Sequence, residues 1–328
     1  MVPHDPGTNA EPANACVPRG VVTVVGGAVS DHIYRVDHVP SAGPEAHGRF
    51  EAHPGGKGLN RAVAAARLGL RSRLISAVGD DDAGGRILAY LRAERVNTEH
   101  VRVVPGVPSA ITMVVVNPTG VSTTIGCRED GIVPDVEHIG DGLAAADVVL
   151  LTFEQPSWVI DRVLAAVRSL RPAPVLIVHA APPIEAPHDL LRHLDRIDYL
   201  IGAPWELGDL AGTRDADFDS SVAPWLRARG VRSVCAVEHL ACRVRSDTVN
   251  LDLPANPAAR QGDSLGGGAA FGAALAYRLL LTERPATGPD YYWATAAMAS
   301  TSVEGPVPVG MPTSATIDAV VARYPASR

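Results

Sequence analysis

Hydrophobic positions in this chain follow two patterns, and their order along the sequence predicts the architecture. Short continuous apolar runs mark strands buried on both faces: Val21–Val25, Ser72–Val78, Val148–Leu151, Val175–Val178, Tyr199–Ile201 and Ser233–Val237. Between them lie helical segments at Lys57–Leu68, Ala83–Glu94, Trp158–Arg168, Asp189–Leu194 and Ser220–Arg229. A hairpin is predicted through Ala241–Leu253, and helices over Gly268–Leu281, Asp290–Val303 and Ser314–Tyr324 close the chain. This order predicts an α/β fold, a three-layer α/β/α sandwich with a mostly parallel central sheet. Two stretches, His32–Phe50 and Ser109–Ile125, alternate apolar and polar residues instead. They are expected to form a small antiparallel β lid drawn from about 32–53 and 99–126.

Composition narrows the class. The chain has 328 residues, 46% of them hydrophobic, enough for a full core. A net charge of −7 argues against nucleic acid or an anionic membrane as partner. The apolar runs are too short to span a bilayer, and the start lacks a basic-then-apolar pattern, so a cytoplasmic protein is expected. Residues 1–19 read as a disordered tail before an α/β domain over 20–328. Cys16, Cys127, Cys235 and Cys242 have no metal-ligand spacing, and Cys235 and Cys242 are expected to be buried thiols. Lys57 is the only lysine in a chain rich in arginine, which singles out a compact ammonium there.

The densest chemistry lies at Gly262-Asp263-Ser264-Leu265-Gly266-Gly267-Gly268-Ala269-Ala270-Phe271. Three glycines open an apolar helix, where unsatisfied N–H groups and the helix dipole favour an anion. The segment resembles the Asp-Thr-x-Gly-Ala-Gly-Asp-Ala-Phe signature of the ribokinase (PfkB) family of carbohydrate and nucleoside kinases, aligned without a gap. The resemblance implies a ribokinase-like fold and anion binding by Gly266, Gly267, Gly268 and Ala269. The family's general base is the second aspartate of that signature, and its position here is Ala269. A methyl group accepts no proton.

A second stretch, Pro54 to Gly69, resembles the first signature of the same family over sixteen consecutive residues. There Gly-Gly opens a helix and an Asn projects into the sugar site, which implies substrate contacts from Gly55, Gly56, Lys57 and Asn60. Asp31, just past the first strand, matches the family carboxylate that holds two sugar hydroxyls, although the family's Asn two residues earlier is Val29 here. Glu154, after the strand ending near Leu151, matches a substrate-facing Glu. His179 stands where the family usually has Asn-Pro-Ala; a half-buried strand histidine competes with a cleft residue.

The departures collect on one side. The family's Asn-x-x-Glu, which arranges water and Mg²⁺ around phosphates, reads Ala203-Pro204-Trp205-Glu206, leaving Glu206 as the candidate metal contact through water. Its Thr-x-Gly-x-x-Gly reads Ala236-Val237-Glu238-His239-Leu240-Ala241, with the hydroxyl and both glycines gone. A carboxylate at 238 has the wrong sign for a triphosphate. Three readings follow. The first is a family member that binds a small sugar, nucleoside or phosphorylated polyol and has diverged from ATP-dependent phosphotransfer, as a pseudokinase or an enzyme using Lys57 and Asp263 for acid–base chemistry. The second is an ATP-dependent carbohydrate or nucleoside kinase, slow or with a substituted base, an Asp→Ala replacement at position 269 being one route to it. Only that reading requires Mg-ATP. The third is a structural or regulatory role with a vestigial cleft. A homodimer through the lid is expected, because its edges need cover.

Overall fold

The computed structural model describes residues 20–40, 45–119, 122–184, 188–259, 266–301 and 306–325. The chain enters through β1 (Val21–Val25), β2 (Val29–Val36) and β3 (Gly48–Gly55), then α1 (Lys57–Arg67), β4 (Arg71–Gly79), α2 (Asp82–Ala93) and β5 (Val101–Val104). Next come β6 (Ile111–Val116), β7 (Ser122–Cys127), α3 (Ile139–Ala144), β8 (Val148–Thr152), α4 (Ser157–Ser169), β9 (Val175–His179) and α5 (His188–Leu191). It continues through β10 (Tyr199–Gly202), α6 (Pro204–Leu210), α7 (Ala223–Ala228), β11 (Ser233–Glu238), β12 (Ala241–Ser246) and β13 (Asn250–Leu253). It ends with α8 (Gly267–Thr282), α9 (Gly288–Ala299) and α10 (Ser314–Arg323).

Among the described residues the main sheet has nine strands in the order β13-β12-β11-β10-β9-β8-β1-β4-β5. Its ladders from β11 to β5 are parallel, and β12 and β13 add antiparallel edges. The period of two sends alternate side chains to opposite layers. Val22 and Val24 of β1 face the core beneath α1, α8 and α9, whereas Val25 joins the other face with α4 and α7. Val148 and Leu150 against Val149 and Leu151 divide β8 likewise. Continuous apolar runs are therefore required of these strands, which is why the sequence marks them clearly.

The second sheet, β3-β2-β6-β7, stands off the first. It agrees with the expected lid except in two respects. Residues Val101–Val104, placed in the lid by the sequence reading, pair in parallel with β4 at the edge of the main sheet. Within the lid, β2 and β6 run parallel, while the two outer ladders are antiparallel. Both differences arise from partner choice, which alternation does not encode. The short helix α3 was not anticipated, and α9 ends at Ala299, with Val303 outside the described residues. Cys235 and Cys242 are free thiols buried on adjacent strands. No described helix is long and apolar enough to cross a membrane.

Candidate functional site

The first wall forms where β1, β3 and β8 meet the start of α1. Asp31 on β2 faces His53 on β3 and Thr112 on β6 in register. A Cβ on Gly55 would overlap the Asp31 carboxylate. Gly56 has φ 101° and packs on the Gly27 carbonyl, where a Cβ would lie 2.6 Å from the oxygen. The Gly-Gly pair therefore lets the lid strand turn into α1 against the β1–β2 junction. Asn60 is buried, and its Oδ1 has no hydrogen-bond partner among the described residues.

Glu154 lies just beyond β8 and closes the N-terminus of α1. Its Oε1 accepts the Lys57 N–H at 2.7 Å, and its Oε2 accepts the N–H groups of Gly27 at 2.7 Å and Gly58 at 2.9 Å. The Thr152 hydroxyl adds a bond at 3.1 Å. A helix with no capping side chain at Gly56 thus takes its first-turn anion from a distant loop. The sequence reading gives Glu154 to the substrate, whereas here its oxygens hold the backbone that carries Gly55, Gly56 and Asn60.

The electrostatics are crowded. Burial, reinforced by the Glu154 charge, raises Asp31 to about 6, while Lys57, Thr112 and His53 pull the other way. Burial also raises Glu206, opposed by the Ala203 N–H that its Oε2 accepts at 2.8 Å and by Lys57 and Arg61. Lys57 thus sits within Coulombic reach of both carboxylates. Two arginines that the motif reading passed over lie in this region. Arg61, 3% exposed, donates Nη1 to the Lys57 carbonyl at 2.9 Å and Nη2 to His179 Nδ1. Arg128, just after β7, donates to the Glu154 carbonyl, and burial lowers its proton affinity. A charged residue within the apolar run of α1 was the available signal for Arg61; nothing in the sequence distinguished Arg128 from other lid charges.

The second wall is the N-terminus of α8, and side chains pack beside its glycines. A Cβ on Gly266 would lie 2.7 Å from Met311 Cε, one on Gly267 3.2 Å from Leu240 Cδ2, and one on Gly268 3.0 Å from His179 Cε1. Gly266, Gly267 and Ala269 are buried, and Gly268 is half-buried. Of the four residues expected to bind an anion, Gly268 is the one that is partly exposed. Leu240 reaches this place from the two-residue turn between β11 and β12, where His239 and Leu240 both adopt positive φ, at 48° and 61°. Glu238 beside them is exposed.

His179 bridges the two walls at the end of β9. Its side chain is 15% exposed and its Nε2 lies 3.9 Å from Glu206 Oε2. Thus Asp31, Gly55, Gly56, Lys57, Asn60 and Glu154 gather on one wall, with Glu206 and His179 reaching it through charge and through Arg61. Asp263 lies outside the described residues. Among the described residues no group of three or more His, Cys, Asp or Glu is placed to hold a metal ion. Glu206, the candidate metal contact through water, accepts the backbone N–H of Ala203. The side chains of Leu240, Met311 and Ala269 offer a phosphate chain neither positive charge nor a hydrogen-bond donor.

Comparison with known proteins identifies the family and the fold. The pattern of the pfkB family carbohydrate kinases matches residues 21–303. Ribokinase of Bacillus subtilis is 32% identical over 162 residues, covering 47% of this chain and 55% of that protein. The 2-dehydro-3-deoxygluconokinase of Thermoproteus tenax is 45% identical over 65 residues, 20% of each chain. The matches to ribokinases of Bacillus subtilis and Schizosaccharomyces pombe span just over half the length of those relatives. Among solved structures, Thermotoga maritima ribokinase superposes with a TM-score of 0.78 at 21% identity, over 92% of this chain and 99% of the other. Arabidopsis thaliana ribokinase complexed with ribose and ATP gives 0.76 at 22% identity, over 92% and 99%. At these identities the structural matches speak for the fold, and the match over residues 21–303 decides the family: the chain belongs to the pfkB family of carbohydrate kinases.

Proposed function

We propose that this chain binds a small polyol (a sugar, nucleoside or phosphorylated sugar) between the lid and α1, and has diverged from phosphate transfer out of ATP. Asp31 and Asn60 supply the hydroxyl contacts. A carboxylate accepts two hydroxyl protons, and the buried Asn60 Oδ1, unpaired among the described residues, is an acceptor whose burial is costly until a donor reaches it. Gly55 and Gly56 bring the backbone close, and Lys57 balances Asp31 and Glu206. The observation that carries the reading is at α8, where the base position is a buried methyl and apolar side chains of Met311 and Leu240, with His179, pack beside the three glycines before it. General-base loss alone costs about 10²–10⁴ in rate; a phosphate seat flanked by apolar side chains adds to that.

The second reading is an ATP-dependent carbohydrate or nucleoside kinase with another group as base. The family match and the intact polyol wall favour it. Calorimetry with Mg-ATP separates the two. The first expects no saturable heat at millimolar nucleotide, and tight binding would sink it. A homodimer through the lid belongs to the same proposal, since Phe50 and Ile125 of the lid are 54% and 48% exposed. Sedimentation showing only monomer at micromolar protein would remove that element.

A further inference from the structure

A cavity of about 720 Å³ lies at the end of the main sheet opposite the polyol wall. Asp147, Asp198 and Arg232 line it and stand immediately before β8, β10 and β11. Glu154, His179 and Glu206 lie at or beyond the far ends of β8, β9 and β10. The five residues of β8 put roughly 16 Å between the two ends. The opposite side is formed by the end of α8, the link over 284–286 and Tyr291 of α9. Packed interiors keep few voids larger than a water molecule, and this volume falls in the range of small-molecule sites.

The charges at the cavity are unevenly paired. Arg232 pairs with Asp198 at 2.7 Å, Arg284 with Asp290 at 2.9 Å, and Asp247 with Arg227. Among the described residues the other two lining carboxylates, Asp147 and Glu283, form no ion pair. The charges left over are therefore both negative. They also border one rim. Asp147 Oδ2 accepts the Val21 N–H at 2.8 Å, and Gly20 next to Val21 packs on Leu280, about one helical turn before Glu283. Glu283 caps α8 at φ 50°, a position that ordinarily falls to glycine. A strained residue with an unpaired charge at a cavity mouth points to a role beyond ending the helix.

The interior supplies hydroxyls and rings. Tyr199 is 7% exposed; its oxygen accepts the Ala286 N–H at 3.0 Å, and its proton has no acceptor among the described residues. The Tyr291 hydroxyl shares a 2.8 Å hydrogen bond with Ser233 Oγ. Burial raises both phenols, so both stay neutral at pH 7.5 and Tyr199 keeps a proton to donate. Leu279 and Pro285 add apolar surface.

We propose that this cavity is a second ligand site, separate from the polyol wall, that takes a small organic ammonium with an aromatic body and a hydrogen-bond acceptor. The ammonium neutralises Asp147 and Glu283, the body packs among Leu279, Pro285 and the tyrosine rings, and the acceptor takes the Tyr199 proton.

The test uses the full chain at pH 7.5 with three probes of one shape: 5-methoxytryptamine, 5-methoxytryptophol and 5-methoxyindole-3-acetate. Calorimetry and melting temperature at matched ionic strength read binding. The amine is expected to raise the melting temperature with concentration, and to bind at least about fivefold tighter than the alcohol and more tightly still than the acid. Glu283→Gln and Asp147→Asn are each expected to cut the preference for amine over alcohol by about twofold, and the double variant to abolish it. Tyr199→Phe is expected to weaken amine and alcohol alike by about threefold or more. Asp31→Asn is expected to leave all three affinities unchanged, which places the probes away from the polyol wall. Should the double variant fail to melt cooperatively, Glu283→Gln decides, because its side chain is exposed at the helix end. Equal binding of the three probes, or binding of none, overturns the proposal. So does an amine preference that survives in the folded double variant, or one that Asp31→Asn removes.

Discussion

Glu154 Oε1 accepts the backbone N–H of Lys57 at 2.7 Å, across ninety-seven residues of sequence, and through that bond the loop after β8 caps the helix that carries the first signature. The same carboxylate holds Gly27 and Gly58. Truncation would strand three backbone donors at once. Glu154→Ala is expected to lower unfolding stability by about 2–4 kcal/mol, and Glu154→Gln by less, because one amide oxygen still accepts. Urea denaturation reads both. A loss below 0.5 kcal/mol for the alanine variant would show that water replaces the carboxylate without cost.

Asp31 gives a pH dependence whose sign follows from its raised proton affinity. The folded state keeps the proton up to about pH 6, whereas an unfolded Asp releases it near 4. Folding stability therefore falls as pH rises between those values and is constant from this source above them. Asp31→Asn removes the penalised charge and is expected to stabilise the ligand-free protein at pH 7.5 by about 1–2 kcal/mol. Polyol affinity should drop at least tenfold in the same variant. Thermal melts at pH 4.5 and 7.5 check the first half; equal effects of Asp31→Asn at both pH values would contradict it.

Gly55→Ala places a methyl on the Asp31 carboxylate. The backbone there cannot retreat without breaking the β2–β3 ladder, in which Val29 pairs Gly55. Polyol binding is expected to vanish while the far-UV spectrum stays native. Unchanged affinity would mean that Asp31 is free to move aside and has no fixed role.

Buried thiols offer a chemical check on the main sheet. Burial raises Cys235 to about 12 and Cys242 well above the usual thiol range, so neither forms thiolate at pH 8. Cys127 is exposed. A thiol-specific reagent should label Cys127 in the native protein and reach Cys235 and Cys242 only after unfolding. Rapid labelling of Cys235 would contradict the packing of β11 against α9.

The sequence made the main sheet legible because its strands are buried on both faces, and continuous apolar runs such as Val148–Leu151 have few other readings. The lid was legible as alternation, but not its ladder directions or the diversion of Val101–Val104 to the other sheet. Those depend on which edge is nearest in space. At the site, the glycines and Asp31 came from motif position. The packing of Met311 and Leu240 beside the α8 glycines did not, because Met311 lies beyond α9 and Leu240 sits at a positive φ that residue type alone does not announce. Arg61 was in plain view inside the first signature. Its burial and its contacts with the Lys57 carbonyl and His179 are what only the packed structure exposes.

The most direct measurement of the central claim is phosphorylated product formed from Mg-ATP by the wild-type chain with ribose, adenosine and 2-dehydro-3-deoxygluconate, alongside Ala269→Asp. The account expects no turnover above about 10⁻² s⁻¹ with wild type and little gain from Ala269→Asp, because Leu240 and Met311 still pack beside the helix start. Turnover by the wild-type chain in the range of about 1–100 s⁻¹ usual for kinases would contradict it.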